Sequence, residues 1–278
     1  MTVVPNVSLS AGTGSIENPQ LGFGVWQVPD DEAETAVLKA LEVGYRSIDT
    51  ARLYHNEEGV GRALKATDVP RDEIFVTTKV WNTDHGFDTT LAAFDASAQR
   101  LGLDVVDLFL IHWPTPAKNR YVDTWKALLK LREDGRARAV GVCNFQPDHL
   151  QRLKDETGEF PAINQVELHP YLQQKALREF HAANGIVTEA WSPLASGGDV
   201  LTDAQIKAIA DKHGVTPAQA ILRWHLDIGN VVIPKSVTPS RIEENFNLFG
   251  FTLDEEDLAT IATLDRGHRT GPDPDQFN

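Results

Sequence analysis

The chain has almost no cysteine, and no stretch of it is apolar for long. Its single thiol, Cys143, excludes an intrachain disulfide and any zinc site built on cysteine pairs. No run approaches the roughly 18 apolar residues of a spanning helix, and Met1 to Pro5 carry no basic segment leading into an apolar one. Positive charge is also scarce: 26 Lys and Arg against 40 Asp and Glu leave a net charge of −14. A surface that acidic argues against non-specific binding to nucleic acid or to an anionic membrane. A soluble, cytoplasmic protein is the expectation, and any phosphate ligand has to be met by a local cluster of cations.

Familiar ligand loops are missing as well. In a G-x-G-x-x-G pattern, Gly22-Phe23-Gly24 ends on Gln27 and Gly59-Val60-Gly61 ends on Leu64, so neither has its third glycine. There is no P-loop, no G-x-S-x-G elbow and no H-E-x-x-H. No linker or composition break divides residues 1–278, so one domain is expected.

What is present is a regular alternation. Val7 to Ile16, with Gly12 and Gly14 between two short runs, reads as a hairpin that caps something rather than starting the main sheet. Leu21 to Val25 is the first core strand. Asp30 to Val43, with Asp30-Asp31 as its cap, is a helix stopped by Gly44. Strands follow at Tyr45–Asp49, Ile74–Val80, Val106–His112, Ala137–Cys143, Ala162–Leu168, Ile186–Trp191 and Val231–Ile233, with helices between them. A helix over Asp254 to Leu264 and an irregular tail from Arg266 complete the chain. Eight βα units with continuous apolar strands fit a (β/α)8 TIM barrel with an N-terminal hairpin and extra C-terminal helices. The rival is a doubly wound open sheet, which normally carries the missing glycine pattern.

Barrel chemistry is built from the carboxyl ends of strands. Those ends hold Trp26, Asp49 with Tyr54, Lys79 with Trp81, His112 with Trp113, Asn144, Gln165, Trp191 with Ser192, and Lys235 with Ser236. A free phenol, with a pKa near 10, is a sluggish acid at neutral pH. A lysine at ~4 Å, with an effective dielectric of ~20, favours phenolate by about 4 kcal/mol, on the order of three pKa units. A buried lysine needs a counter-ion in turn. Asp49 would thus hold Lys79 charged, Lys79 would lower the Tyr54 pKa, and Tyr54 would protonate a carbonyl oxygen oriented by His112. Blander roles exist for each: Asp49-Thr50 as a turn cap, Tyr54 as packing, Lys79 as a solvated strand end, His112 as a structural histidine. A metal on His112, His169, Glu167 and Asp49 is disfavoured because no His-x-His pair stands on a strand.

The chain resembles the aldo-keto reductase family. The resemblance lies in Leu21-Gly22-Phe23-Gly24-Val25-Trp26, Gly44 to Ala51 with Tyr54, Asn56 to Gly61, and Thr78-Lys79-Val80-Trp81. It continues in Asp107 to Pro114, Gly141 to Phe145, Asn164 to Pro170, Trp191-Ser192-Pro193-Leu194, and Ile233-Pro234-Lys235-Ser236 with Arg241 to Asn245. Length and compact loops look most like the prokaryotic branch that includes 2,5-diketo-gluconate reductases. The resemblance implies a barrel that binds NADPH without a Rossmann domain, with Tyr54 as general acid and Asp49, Lys79 and His112 completing a tetrad. It implies Asn144 and Gln165 on the nicotinamide carboxamide, Trp191 stacked on the ring, and Ser192, Leu194 and Ser196 near the pyrophosphate. Lys235, Ser236, Val237, Thr238 and Arg241 match the region around the 2′-phosphate, with Glu244 and Asn245 near the adenine. Three positions depart from the common pattern. Cys143 replaces a serine, which softens the anchoring there; Trp191 replaces a tyrosine; and Arg52 is a large charged residue that either faces solvent or attracts anionic substrates.

On this reading the activity is NADPH-dependent reduction of small aldehydes, ketones, dicarbonyls or keto sugars. Trp26, Trp81 and Trp113 would wall the substrate pocket, and the short tail would leave its mouth wide. No coiled coil or long apolar surface helix asks for a partner, so a monomer is expected. Two other classes compete: an NADPH-binding redox-sensing or partner-binding barrel with incidental turnover, and a metal-dependent barrel hydrolase.

Overall fold

The computed structural model describes residues 4–278. Two antiparallel strands, β1 (Asn6–Ala11) and β2 (Gly14–Pro19), form the expected hairpin. It stands apart from the main sheet. Leu9 of β1 is fully buried against Phe75, Leu108, Leu110, Ala139, Ala162 and Ile163, residues that point inside the barrel. The hairpin therefore plugs the end at which the barrel strands begin.

Eight parallel strands follow in chain order: β3 (Phe23–Gly24), β4 (Ser47–Asp49), β5 (Phe75–Val80), β6 (Val106–Ile111), β7 (Ala137–Cys143), β8 (Ile163–Glu167), β9 (Val187–Trp191) and β10 (Val231–Val232). A parallel bridge between Leu21 and Val232 closes the ring. There Gly22 N donates to Val232 O at 2.9 Å and Gly24 N to Pro234 O at 3.1 Å. The seam needs these glycines, because a Cβ on Gly22 would lie 3.0 Å from the Ile233 side chain and one on Gly24 3.2 Å from Ile233 O.

Helices α1 (Asp30–Val43), α2 (Glu57–Ala66), α3 (Phe87–Leu101), α4 (Tyr121–Glu133), α5 (Pro147–Thr157) and α6 (Lys175–Ala183) alternate with the strands. They are followed by α7 (Ala204–His213), α8 (Pro217–Asp227), α9 (Pro239–Phe246) and α10 (Glu255–Ala262). The stripe Ala33, Ala36, Val37, Ala40 and Leu41 buries α1 as its spacing predicts. Asp30 does not cap its own helix. Pro29 takes the cap position, so the Asp30 carboxylate turns sideways to accept from Gly59 N at 2.7 Å and Arg62 at 2.9 Å, tying α1 to α2. Thr216 and Gln219 cap α8 reciprocally, with Pro217 in its first turn. No helix among the described residues is long and apolar enough to cross a membrane.

Candidate active site

Asp49 ends β4 and Lys79 lies one residue from the end of β5, so the parallel register brings both to the carboxyl rim. Lys79 is fully buried, and its Nζ donates to Asp49 Oδ1 at 2.6 Å and to Thr50 O at 2.9 Å. Tyr54 closes a single 3-10 turn over Arg52–Tyr54, and Lys79 Nζ sits 5.1 Å from the centre of its ring. His112, just past β6, packs its ring edge-on to Tyr54 at 5.7 Å and to Trp81 at 5.2 Å. Four groups expected together from separate strand ends are thus adjacent.

Their electrostatics differ from expectation in one respect. Burial works against the Lys79 charge, but Asp49 outweighs it and holds the ammonium above its ordinary pKa. Burial pushes the Tyr54 phenol above its ordinary value of 10, and the opposing pull of Lys79 does not overcome it. The expected lowering fails because the loss of solvent around the buried phenol outweighs the Lys79 charge, with Asp49 adding to the rise. Tyr54 consequently keeps its proton at neutral pH. Burial, with Lys79 adding, drives His112 well below the usual histidine range, so its ring is neutral and offers one N–H.

The loop above these groups is stapled by Asn56, which was read from the sequence only as the start of the Asn56 to Gly61 stretch of the family resemblance. Asn56 is fully buried, accepts from Thr50 Oγ1 at 2.7 Å, and donates to Val25 O at 2.8 Å and Val28 O at 2.9 Å. It locks the segment carrying Trp26 to the segment carrying Tyr54. Arg52 Nη1 lies 3.2 Å from His55 Nδ1 at the surface.

A second set lies across the barrel mouth. Asn144 has φ 64°, accepts from Trp191 Nε1 at 2.8 Å and donates to His112 O at 3.0 Å. One Nδ2 hydrogen of Asn144 has no partner in these bonds. Gln165, inside β8, donates from Nε2 to Asp49 Oδ2 and to Glu189 Oε2, each at 2.8 Å. The Cys143 thiol is 3.9 Å from Gln165 Oε1, and burial pushes its pKa well up, which suits packing rather than nucleophilic chemistry. After β9 the chain turns through Ser192, Ala195 and Ser196, all with positive φ, around Leu194. Lys235 and Arg241 are exposed and, among the described residues, make no ion pair, whereas Ser236 and Asn245 are buried. Thr238 N bonds Ser236 Oγ at 3.1 Å at the start of α9, and Val237 is exposed beside it. Glu244 accepts from Thr216 Oγ1 at 2.8 Å, joining α9 to the start of α8.

The three tryptophans do not converge equally. Trp81 and Trp113 both meet Phe277, at 6.3 and 4.6 Å between rings, and Trp113 meets Trp191 at 6.4 Å. Trp26 stands apart from them, 48% exposed. Phe277 also corrects the expectation of a wide mouth: the short tail folds back over the rim. Glu167, fully buried on β8, accepts from Thr270 N at 2.6 Å, Thr270 Oγ1 at 2.7 Å and Gly271 N at 3.1 Å, with His169 Nε2 at 3.0 Å. Burial pushes the Glu167 pKa up, but these bonds outweigh it and hold the carboxylate ionised. At the end of the tail, Asn278 Oδ1 accepts from Ala117 N at 2.7 Å.

This rim has counterparts in proteins already known. The model of the Aldo/keto reductase family matches residues 8–266. The chain belongs to the aldo/keto reductase family. It is 57% identical over 260 residues to the methylglyoxal reductase DkgA of Escherichia coli K12, covering 93% of this chain and 94% of that protein. It is 55% identical over 274 residues to an aldo-keto reductase of Mycolicibacterium smegmatis, covering 99% and 98%. A crystal structure of a Gox0644 mutant in complex with NADPH has a TM-score of 0.93 at 50% identity, covering 99% of each chain. As a member of this family the chain is an oxidoreductase of carbonyl groups, and the barrel and hairpin read from the sequence are those of its relatives.

Glu189, Asn56 and the Glu167–tail contact were missed from the sequence. For both glutamates a signal existed: a carboxylate inside a buried strand needs a buried partner.

Proposed function

We propose that the chain reduces small aldehydes, ketones, dicarbonyls or keto sugars with NADPH, using Tyr54 as the proton donor. The observation that carries this is the Tyr54 phenol held beside the Lys79–Asp49 pair and the neutral His112 ring at one barrel rim. The relatives named methylglyoxal reductase favour dicarbonyls among the substrates.

The residues present fit the cofactor. Lys235 and Arg241 are unpaired among the described residues in a chain of net charge −14, a local clamp suited to a phosphate dianion. Asn144 keeps one free amide hydrogen, and Gln165 Oε1, met by the weak thiol donor of Cys143 at 3.9 Å, keeps a lone pair, matching the acceptor and donor of a carboxamide. Trp191, half-buried and held by Asn144, offers a stacking face. Ser192, Leu194 and Ser196 would line the pyrophosphate, and Ser236, Val237, Thr238, Glu244 and Asn245 the adenosine end. NADPH, when bound, supplies the hydride that reaches the carbonyl carbon. Tyr54 Oη gives its proton to the carbonyl oxygen, forming the alcohol, and regains one from solvent. Lys79 stabilises the phenolate left behind, Asp49 keeps Lys79 in place, and the His112 N–H orients the carbonyl. Trp81, Trp113 and Phe277 wall the substrate on the far side, with Trp26 at the rim. The protein would act as a single-domain cytoplasmic monomer.

Initial rates with NADPH and NADH against methylglyoxal, simple aldehydes and a keto-gluconate test this reading. Turnover with NADPH is expected, and Tyr54→Phe should bind NADPH as the wild type does while losing about 10²–10⁴ in turnover. Undiminished turnover would remove Tyr54 as the acid. Reduction of nothing across the panel would favour a cofactor-binding module.

A further inference from the structure

Both hydrogens of the Gln165 amide are committed to carboxylates on different strands, Asp49 of β4 and Glu189 of β9. Reversing the amide would aim its oxygen at the two acids at once, so one orientation is fixed, and Oε1, met by the weak thiol donor of Cys143 at 3.9 Å, keeps a lone pair as an acceptor. Asp49 already has Lys79 and Thr50 around it, but Glu189 has no such reason to be buried. It is 2% exposed and, among the described residues, forms no ion pair and bonds through its side chain only to Gln165. Burial of an acid that has no cation of its own is costly, as its raised pKa records, and a purely structural position gives no cause to keep it. The titratable groups that face it are Asp49 from β4, Lys79 from β5 and Cys143 from β7, and the single cation among them is already paired. Strand periodicity also puts Glu189 on the same face of β9 as Trp191, two residues on. One strand thus carries both the proposed stacking surface and the brace for the proposed carboxamide acceptor.

We propose that Glu189 is a positioning residue for cofactor use: it fixes the Gln165 side chain so that Oε1 accepts from the N–H of the nicotinamide carboxamide. The proposal rests on the NADPH reading above. It links the proton relay and the cofactor anchor through one amide, since Asp49 and Glu189 grip the same Nε2.

Glu189→Leu removes the brace and leaves one Gln165 N–H without its acceptor, while Asp49 still holds the other. Glu189→Gln retains an acceptor oxygen and should restore it. Affinities are measured by fluorescence titration for NADPH, for adenosine 2′,5′-bisphosphate, which has no nicotinamide, and for the 3-acetylpyridine analogue, whose ketone has no N–H. In Glu189→Leu, NADPH affinity should fall about tenfold, the size of one lost hydrogen bond. Adenosine 2′,5′-bisphosphate affinity should stay unchanged, and the preference for NADPH over the analogue should vanish. Glu189→Gln should behave as wild type. Equal losses for NADPH and adenosine 2′,5′-bisphosphate, or no loss for either, would overturn the proposal. So would a wild-type protein that binds NADPH and the analogue equally, a result independent of how the variants fold. Wild type that binds no NADPH would instead reject the cofactor reading itself.

Discussion

The two ends of the barrel are made from the same strands and hold opposite kinds of interior. Where the strands begin, Leu9 from the hairpin meets Phe75, Leu108, Ala139 and Ile163 in a dry cluster. Where they end, Asp49, Lys79, Gln165 and Glu189 are packed together, none more than 2% exposed. Backbone strain follows the same division. Among the described residues, the non-glycine positions with positive φ stand on the loops after β3, β4, β6, β7, β8 and β9, at Gln27, His55, Thr115, Asn119, Asn144, Gln174, Ser192, Ala195 and Ser196. Such positions persist only where surrounding structure enforces them. Dry packing therefore fills one end, and the polar groups and strained loops gather at the other, the end where barrels generally carry their chemistry.

The largest way to break this comparison is Lys79→Met. It leaves Asp49 buried without its cation, and such a loss costs about 3–5 kcal/mol. Denaturant unfolding should register that, and turnover should fall at least about a hundredfold with it. Thus the polar end is not free of structural consequence: its charges are stable only as a set.

Glu189→Gln sharpens the same point through pH. Burial, with Asp49 adding, raises the Glu189 pKa from 4.5 to about 7. The folded state holds that proton more tightly than the unfolded chain, so the contribution is complete below about pH 4.5 and is lost as pH rises through 7. The variant lacks it. The melting temperature of wild type minus variant should fall from pH 5 to pH 8. A pH-independent difference would mean that Glu189 does not titrate in this range.

Arg241→Ala should weaken NADPH by about tenfold and leave NADH unchanged in the same titration. Equal weakening of both would place Arg241 away from the 2′-phosphate. The smallest effect is expected from Glu167→Gln, which keeps the hydrogen-bonding shape but loses the charge. Loss of charge assistance, about 1 kcal/mol, should speed amide hydrogen exchange at Thr270 and Gly271 and raise KM more than it lowers kcat.

Much of the rim was legible because strand ends are marked in sequence: each continuous apolar run stops at a polar or aromatic residue. Asp49, Tyr54, Lys79 and His112 follow from that rule plus the need of a buried lysine for a counter-ion. The rest depends on register and return paths. Glu189 sits mid-strand, and only the barrel's stagger decides that it faces Gln165 rather than a helix. The tail was read as short and open. Yet Thr270 reaches Glu167 across 103 residues of sequence, a contact that no local pattern encodes. The phenol's electrostatics were misread for a related reason: the Lys79 charge and its counter-ion were foreseen, but not the depth of burial of the phenol, which outweighs them.

The separation of the two ends is tested most directly by Leu9→Ala and Tyr54→Phe in one pair of assays, denaturant stability and kcat with NADPH and methylglyoxal. Leu9→Ala should cost about 2–5 kcal/mol of stability with kcat nearly unchanged, while Tyr54→Phe should keep its stability and lose about 10²–10⁴ in kcat. A Leu9→Ala enzyme that loses turnover in step with stability, or a Tyr54→Phe enzyme that turns over normally, would contradict it.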